Sequence, residues 1–369
     1  MPSQQAHKPP TSPLIIDRYL TQEILRPFAL GFGLLVVVFV AYTAAIQLTQ
    51  AADGVIEPTT ALQLILLNTL IAFETLLPSA LYLSIVAAIG RLHQDSEMTA
   101  LHAAGMSELR IMGAVAKLAV VFALLVAVLS IFGRPWAYSE SYRLESQLVG
   151  DFDIAKLKAD RFIQLQDSGY VLYSRTIDRE QKRLHDVFMQ TDHGVKSEII
   201  LAEEAYLPET SSTEERTVQF LRGRLYLLNR EGQRDGTLTF NELIIHIPET
   251  EKLSGYKRKA EPTSRLALSD QPKDVAEYQW RISTPLATVL LALLAVPLSR
   301  SQPRQSRFGI FFGAIVVYAL LLGLIGALRN AIEQDKISAL PGLWSAYIFP
   351  VALLGVLLII PKLRRRLGL

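Results

Sequence analysis

Apolar residues are concentrated in six long runs, three towards each end of the chain. The runs cover residues 27–49, 61–90, 111–133, 282–298, 308–328 and 340–360. A helix needs about 20 mostly apolar residues to cross a bilayer, and six such runs exceed what one soluble core of this size could bury. The pattern therefore predicts six transmembrane helices in two groups of three.

The start of the chain has two polar stretches of different character. Residues 14–26 mix apolar and charged positions, which is typical of an interfacial helix that leads into the first span. Residues 1–13 are rich in proline, so we expect them to be disordered. The first apolar run is too long for the hydrophobic region of a signal peptide, and we interpret it as a span.

The middle of the chain has the pattern of a β domain. Apolar and polar positions alternate along stretches such as 161–177 and 237–247, and turn residues such as Asp235-Gly236 separate the stretches. Short strands at this spacing favour an antiparallel sandwich or jelly roll.

The predicted fold is an integral membrane α-helical protein with six transmembrane helices, 3+3, and an inserted, jelly-roll-like antiparallel β domain. The first three spans and a short helix between the second and third belong to residues 14–133. The β domain, with a connecting helix at 138–160 and a linker at 250–275, belongs to residues 134–279. The last three spans and a basic tail form residues 280–369.

Lysine and arginine are distributed unequally between the two sides of the predicted spans. One side holds Arg329 and Lys336 near the span ends. The other side, with both termini, holds Lys8, Arg18, Arg26, Arg91, Arg110, Arg300, Arg304, Arg307, Lys362, Arg364, Arg365 and Arg366. Because cytoplasmic ends carry the excess of positive charge, we predict that both termini are cytoplasmic and that the β domain lies outside.

Composition excludes several classes of function. A net charge of +2 is too small to indicate a nucleic-acid-binding protein. The chain has no cysteine, so it forms neither a disulfide nor a thiolate metal site. Because it lacks a Gly-x-x-x-x-Gly-Lys-Ser/Thr motif, a partner must hydrolyse ATP if the chain performs active transport.

Candidate catalytic groups are scarce. The hydrolase motifs Gly-x-Ser-x-Gly and His-Glu-x-x-His are absent. His185, His193 and His246 fall on different predicted elements without carboxylates at matching spacing, so we predict no metal site.

Three charged residues lie within or beside the spans. Glu74 interrupts the second run, and an intramembrane carboxylate is by default a functional candidate, although it also serves as a hydrogen-bond partner for a neighbouring helix. Arg134 and Arg329 follow the third and fifth runs. Each either snorkels to the interface or contacts an anionic lipid headgroup.

The stretch between the second and third runs predicts a short helix at 95–105. Asp95 or Ser96 can cap its start, and Gly105 can end it. A helix of this length is too short to span a bilayer and is marginal alone in water. Met98 and Leu101 recur at helical spacing, so they offer an apolar contact to a partner.

Three stretches resemble the lipopolysaccharide-export permeases of the LptF and LptG family. They are "GRLHQDSEMTALHAAGMS" after the second run, "WRISTPLATVLLALLAVPLS" at the fourth and "RSQPRQSRFG" between the fourth and fifth. Within the family, "QPRQSR" and the tail "IPKLRRRL" are more similar to LptF than to LptG. The resemblance covers both membrane halves in the same order, whereas the β domain is similar only in length and strand pattern.

The resemblance implies a place in the bacterial inner membrane and a set of partners. LptF and LptG form a heterodimer driven by two copies of the cytoplasmic ATPase LptB. The complex extracts lipopolysaccharide from the outer leaflet and passes it to periplasmic jelly rolls, including that of LptC. ATP and magnesium bind to the ATPase, so this chain is expected to bind no cofactor of its own.

The resemblance also implies roles for individual residues. Glu97 matches the acidic residue of a coupling helix that docks into the ATPase, with Met98, Leu101 and Arg91 beside it. Basic residues at the outer end of the first span are replaced here by Gln47 and Gln50. Contacts to the lipid headgroup would then depend on these amides, on Arg134 and Arg329, or on the LptG subunit.

Two other classes of function stay open from the residues alone. A signalling or mechanotransmission membrane protein would also work with an ATPase but would move no lipid. An intramembrane enzyme built around Glu74 would need a second catalytic group, which the sequence does not offer.

Overall fold

The computed structural model describes residues 13–53, 56–150, 161–165, 170–178, 181, 183–192, 196–206, 216–229, 235–247, 257–300, 307–338 and 341–367. The expected disorder at the N-terminus lies, apart from Pro13, outside these described residues. His193 and the first part of the predicted linker also lie outside them.

Helices flank a sheet in the order of the chain. Before the sheet come α1 (Pro13–Ala52), α2 (Pro58–Gln94), α3 (Glu97–Ala103), α4 (Glu108–Val128), a π-helical turn (Leu129–Gly133) and α5 (Arg134–Gly150). After it come a 3-10 turn (Arg258–Ala260), α6 (Thr263–Leu266), α7 (Pro272–Leu298), α8 (Arg307–Glu333), a second 3-10 turn (Gly342–Tyr347) and α9 (Ile348–Leu367). Among the described residues, 6 helical segments are long and apolar enough to cross a membrane, which confirms the predicted six spans.

Two spans begin earlier than the apolar runs indicate. α1 is continuous from Pro13, so the predicted interfacial helix and the first span are one helix. α7 begins at Pro272, and its first turns contain Asp274, Glu277 and Arg281, all of them buried. A reading based on hydropathy leaves such charged residues out of a span. Charged residues can nevertheless lie in the buried part of a membrane helix when they are paired with one another.

The chain divides into two compact units. The first comprises Met1–Ala41, Asn68–Ser139 and Arg258–Leu369, and the second comprises Tyr42–Leu67 and Glu140–Lys257. The predicted boundary at residue 279 therefore differs from the observed return to the first unit at Arg258. The reason is that the 3-10 turn, α6 and the start of α7 pack with the spans.

In the first unit, α2, α4 and α7 share one core. Leu81 and Ile85 of α2 recur at helical spacing and are fully buried in it. Ala119 of α4 and Ala292 and Ala295 of α7 are equally buried. Small residues let helix backbones approach closely, which is how membrane helices gain packing contacts.

The second unit contains a six-stranded antiparallel sheet. Its strands are β1 (Arg161–Leu165), β2 (Tyr170–Asp178), β3 (Arg183–Asp192), β4 (Lys196–Tyr206), β5 (Arg216–Asn229) and β6 (Gly236–Ile247). Each strand pairs with the next one along the chain, and Greek-key connections of a jelly roll do not occur among these described strands. The inserted antiparallel β domain is confirmed, and its strand order is a meander.

The alternation of buried side chains changes phase in the middle of the sheet. Leu184 and Val187 of β3 are both buried although they are three positions apart, which in a regular strand would place them on opposite faces. Between them Asp186 has a positive φ of 49°, and in β5 Arg222 has a positive φ of 50°. A positive φ is uncommon outside glycine. Here it changes the alternation, so that Val187 lies on the same buried face as Leu184.

Gly223 follows Arg222 in β5, at a point where β4, β5 and β6 lie very close together. It pairs with Ala202 of β4 and with Phe240 of β6. A Cβ atom at this position would collide with the carbonyl oxygen of Leu201 and with the Phe240 ring. Glycine is therefore required by space and not by its own backbone angle.

Gly223→Ala is expected to destabilise the β domain by about 1–3 kcal/mol, the usual cost of overpacking. Gly236→Ala is the matched control, because a Cβ there meets Leu227 at ordinary contact distances of 3.6 and 3.7 Å. Thermal unfolding of the two purified variants measures the difference. Equal unfolding midpoints for the two variants would show that the strands around Gly223 can move apart to accommodate the added methyl group.

Candidate functional site

The connection between α2 and α4 folds as a short helix with a well-defined end. α3 covers Glu97–Ala103, which is shorter than the predicted 95–105. Gly105 has a φ of +85°, and its N–H donates to the carbonyl of His102 at 3.0 Å. The N–H of Met106 donates to the carbonyl of Leu101 at 3.1 Å. This is the Schellman arrangement, so the predicted stop at Gly105 is confirmed.

The start of α3 differs from the prediction. Ser96 occupies the N-cap position with a positive φ of 61°, and its side chain makes no capping hydrogen bond. Ser107 likewise precedes α4 without a side-chain cap, although its carbonyl accepts the N–H of Arg110 at 3.0 Å. The sequence therefore identified Ser96 as a candidate for the N-cap position of α3 but not its contacts.

The apolar residues of α3 face the interior of their own chain. Met98 is buried in the core shared by α2, α4 and α7, and Leu101 is half-buried against the same core. The predicted contact of these two side chains with a partner is thus corrected. The exposed face of α3 carries small and polar residues instead, namely Thr99, Ala100, His102 and Ala103.

Two charged residues of the connection are held by α1. The Tyr19 hydroxyl donates a hydrogen bond to Oε2 of Glu97. Arg91, at the end of α2, is exposed and pairs with Glu23. Since a carboxylate has two oxygens with about four acceptor sites, Glu97 keeps acceptor capacity for a further donor.

Glu74 lies in a buried cluster of charges in the first unit. Its carboxylate is 1% exposed. It accepts hydrogen bonds from Arg134 Nη1 at 2.6 Å, Ser130 Oγ at 2.8 Å and Trp280 Nε1 at 2.9 Å. These partners belong to α5, the π-helical turn and α7, so Glu74 joins α2 to three other elements.

Glu277 of α7 is the centre of the same cluster. Its Oε1 accepts from Arg134 Nε at 3.0 Å and from Arg281 Nε at 3.2 Å, and its Oε2 accepts from Arg329 Nη2 at 2.7 Å. Arg329 also donates to Glu333 at 3.0 Å, one turn further along α8.

Arg281 links the cluster to the turn before α7. Its side chain is fully buried and donates to the carbonyl oxygens of Glu261 at 2.8 Å and Lys259 at 3.0 Å. It also donates to Thr263 Oγ1 at 3.0 Å, and this hydroxyl donates to the carbonyl of Ile131 at 3.0 Å. The polar contacts thus extend from the spans into the segment that returns from the β domain.

The charges of this cluster nearly balance. Glu74, Glu277 and Glu333 face three guanidinium groups, those of Arg134, Arg281 and Arg329. Buried charges are tolerated only when they are paired and hydrogen-bonded. The arrangement fits a structural clamp between α2, α5, α7 and α8.

The predicted headgroup residues occupy different environments. Arg134 is buried and paired with two carboxylates, so its guanidinium is not presented to a lipid. Arg329 is paired too, but its side chain is 18% exposed, and its guanidinium lies 5.3 Å from the centre of the Trp280 ring. Gln47 and Gln50 lie on the last turns of α1 in the second unit, and Oε1 of Gln47 is buried without a hydrogen-bond partner.

Four residues of these sites were missed by the sequence reasoning. Glu277 and Arg281 are four residues apart, which places an acid and a base on one helix face just before an apolar run. That spacing was the available signal. Trp280 and Tyr19 gave no comparable pattern, because their contacts join segments far apart in sequence. Among the described residues, no group of His, Cys, Asp and Glu could hold a metal ion.

Comparison with known proteins gives a match over nearly the whole chain. The family model "Lipopolysaccharide export system permease LptF/LptG" matches residues 18–360. The lipopolysaccharide export system permease protein LptF of Escherichia coli K12 is 25% identical over 356 residues, which cover 93% of this chain and 94% of that protein. The LptF protein of Shigella flexneri is similar to the same extent, 25% over 356 residues.

Glu74→Gln is expected to lower stability by about 3–5 kcal/mol, because it leaves the buried Arg134 short of a counter-charge. The double variant with Arg134→Gln is expected to lose less than the sum of the two single changes. Glu140→Gln is the matched control on α5, since its pair with Arg143 is exposed and is expected to cost at most about 1 kcal/mol.

Thermal unfolding of the purified variants in detergent measures these effects. Additive losses in the double variant would contradict the clamp. Transport per assembled complex is expected to be unchanged in Glu74→Gln, and its complete loss with normal assembly would instead assign Glu74 a direct role.

Proposed function

Since the chain belongs to the lipopolysaccharide export system permease LptF/LptG family, we propose that it is an LptF-like subunit whose transport is driven by ATP hydrolysed on a separate chain. The observation that carries this proposal is the family match over residues 18–360. The proposed partners are an LptG-like permease, a dimer of LptB-like ATPases and an LptC-like protein with a β domain. The chain itself binds no ATP or magnesium.

The exposed face of α3 is the proposed docking surface for the ATPase. Met98 and Leu101 do not form this surface but fix the helix in the core. A helix that is marginal alone is thereby held rigid, so a force on its exposed face moves the spans and not only the loop. Glu97 contributes the acceptor capacity that Tyr19 leaves free, and exposed Arg91 lies at the rim.

Both termini and α3 are proposed to be cytoplasmic, and the sheet periplasmic. The excess of lysine and arginine near these span ends supports the orientation. An exposed short helix between the second and third spans then faces the compartment that contains ATP.

Lipopolysaccharide is proposed to leave the outer leaflet of the inner membrane and to reach the periplasmic sheets. Because Arg134 is committed to Glu74 and Glu277, its proposed role is the structural one of holding α2, α5 and α7 together. Contact with headgroup phosphates is assigned to Arg329, whose side chain is partly exposed. Polar contacts to the glucosamine are assigned to Gln47 and Gln50.

Co-purification tests the proposed assembly directly. The chain is expected to co-purify with a second six-span protein and a P-loop ATPase. Glu97→Ala is expected to weaken binding of the ATPase at least about tenfold, because a hydrogen bond to a charged group is lost. Asp95→Asn, an exposed acid beside α3, is the control and is expected to bind normally. Normal binding and normal lipid release in Glu97→Ala would contradict the docking role.

Photo-crosslinking separates lipid export from signalling. Leu225 of β5 pairs with buried Ile200 and therefore lies on the buried face of the sheet, whereas exposed Leu201 lies on the opposite face. A crosslinking amino acid at position 225 is expected to capture lipopolysaccharide during ATP hydrolysis, and one at 201 is expected to capture little. Equal labelling with and without ATP, or none at either position, would favour a signalling protein.

A further inference from the structure

α1 is buried near its start, whereas one face of its middle is exposed. Leu20 and Ile24 are fully buried in the core shared by the spans. On one face, from the fifth turn of α1 onwards, apolar side chains are exposed: Leu30 is 79% and Leu34 and Val37 are each 65% exposed.

Three polar contacts hold the bound end, each to a different element. Asp17 pairs with Lys117 of α4 at 2.5 Å, Tyr19 donates to Glu97 of α3, and Glu23 pairs with Arg91 of α2. The three contacts follow one another over two turns of α1. All of them reach the helices that meet at the α3 connection.

Two aromatic contacts follow the polar contacts along α1. The Phe28 ring lies 4.7 Å from that of Phe122 in α4, and the Phe32 ring lies 5.4 Å from that of Phe73 in α2. We define residues 15–32 as the anchored segment of α1. Leu34, Val37 and Val38 follow this segment, and their side chains are exposed.

The contact between Tyr19 and Glu97 differs from its neighbours in what it joins. It connects α3 with α1. Lys117 and Arg91 belong to long helices that the core already fixes. α3 has 7 residues, and beside the core contacts of Met98 and Leu101 this hydrogen bond fixes where the Glu97 carboxylate lies.

We propose that Tyr19 is a positioning residue that transmits the displacement of α3 directly to α1. This inference rests on the proposed function, in which an ATPase moves α3. When α3 moves, Glu97 draws the Tyr19 hydroxyl with it, and the anchored segment turns about its aromatic contacts. The part of α1 that follows this segment then moves with it.

The absence of cysteine from the chain makes the movement measurable. Val38 of α1 and Val128 of α4 are both exposed, at 59% and 57%. Spin labels on Val38→Cys and Val128→Cys report the distance between the two helices. The double-labelled chain is assembled with cysteine-free partner chains in lipid discs, with and without trapped nucleotide.

Tyr19→Phe removes the hydroxyl and keeps the ring. It is expected to retain ATPase binding and ATP hydrolysis but to lose the nucleotide-dependent change in label distance. It is also expected to release about tenfold less lipopolysaccharide per ATP, because one hydrogen bond to a charged group is lost. Glu97→Asp, which retracts the carboxylate by one methylene and keeps its charge, provides a second test and is expected to show the same loss.

Lys117→Gln is the matched control, because it breaks the neighbouring contact of the anchored segment without involving α3. It is expected to retain the distance change and the ratio of lipid to ATP. An equal loss in Lys117→Gln would overturn the inference in favour of general anchoring, and unchanged behaviour of Tyr19→Phe would overturn it outright. Absence of nucleotide-dependent lipid release in the parent complex would instead contradict the proposed function.

Discussion

Glu277 contacts three guanidinium groups at once, and with Glu74 and Glu333 it supplies the counter-charges that the packing of these helices requires. Arg134, Arg281 and Arg329 reach it from α5, α7 and α8. Each buried ion would cost several kcal/mol if it were left unpaired, so these helices can approach one another only in the geometry that closes the pairs. Glu74 extends the same constraint to α2. Apolar side chains of similar volume could give equal stability, which suggests that the pairs serve to select one arrangement of helices among several.

Hydropathy and charge asymmetry were sufficient for the fold class but not for the site. The six spans and the antiparallel insertion depend on periodicities that a sequence displays directly. The sequence placed the start of α7 too late, because the charged residues of its first turns can lie in a membrane helix only when they are paired with opposite charges. Met98 shows the opposite limit: its apolar side chain marked a contact correctly, but the sequence could not tell a contact within the chain from one with another chain. Glu74 and Arg134 were each identified separately, and only the structure shows that they are partners.

The first unit combines a buried core with helices that expose one face. α2, α4 and α7 share a core with fully buried small residues, and the charge cluster joins them to α5 and α8. α3 is joined to the same core by Met98, and α1 by Leu20 and Ile24, and both helices also carry exposed side chains. A force on an exposed face is therefore passed to the core by buried side chains.

The π-helical turn at Leu129–Gly133 joins two helices whose orientations are set by independent requirements. α4 must direct Ile111 and Val115 into the core, and α5 must direct Arg134 towards Glu277. An α-helix rotates by about 100° per residue, so the number of residues between these positions decides which of them point inwards. A π-helical turn accommodates one additional residue within a helix. A deletion or insertion of a single residue in this stretch would therefore not be a local change in length: it would rotate α5 by about 100° and turn Arg134 away from Glu277.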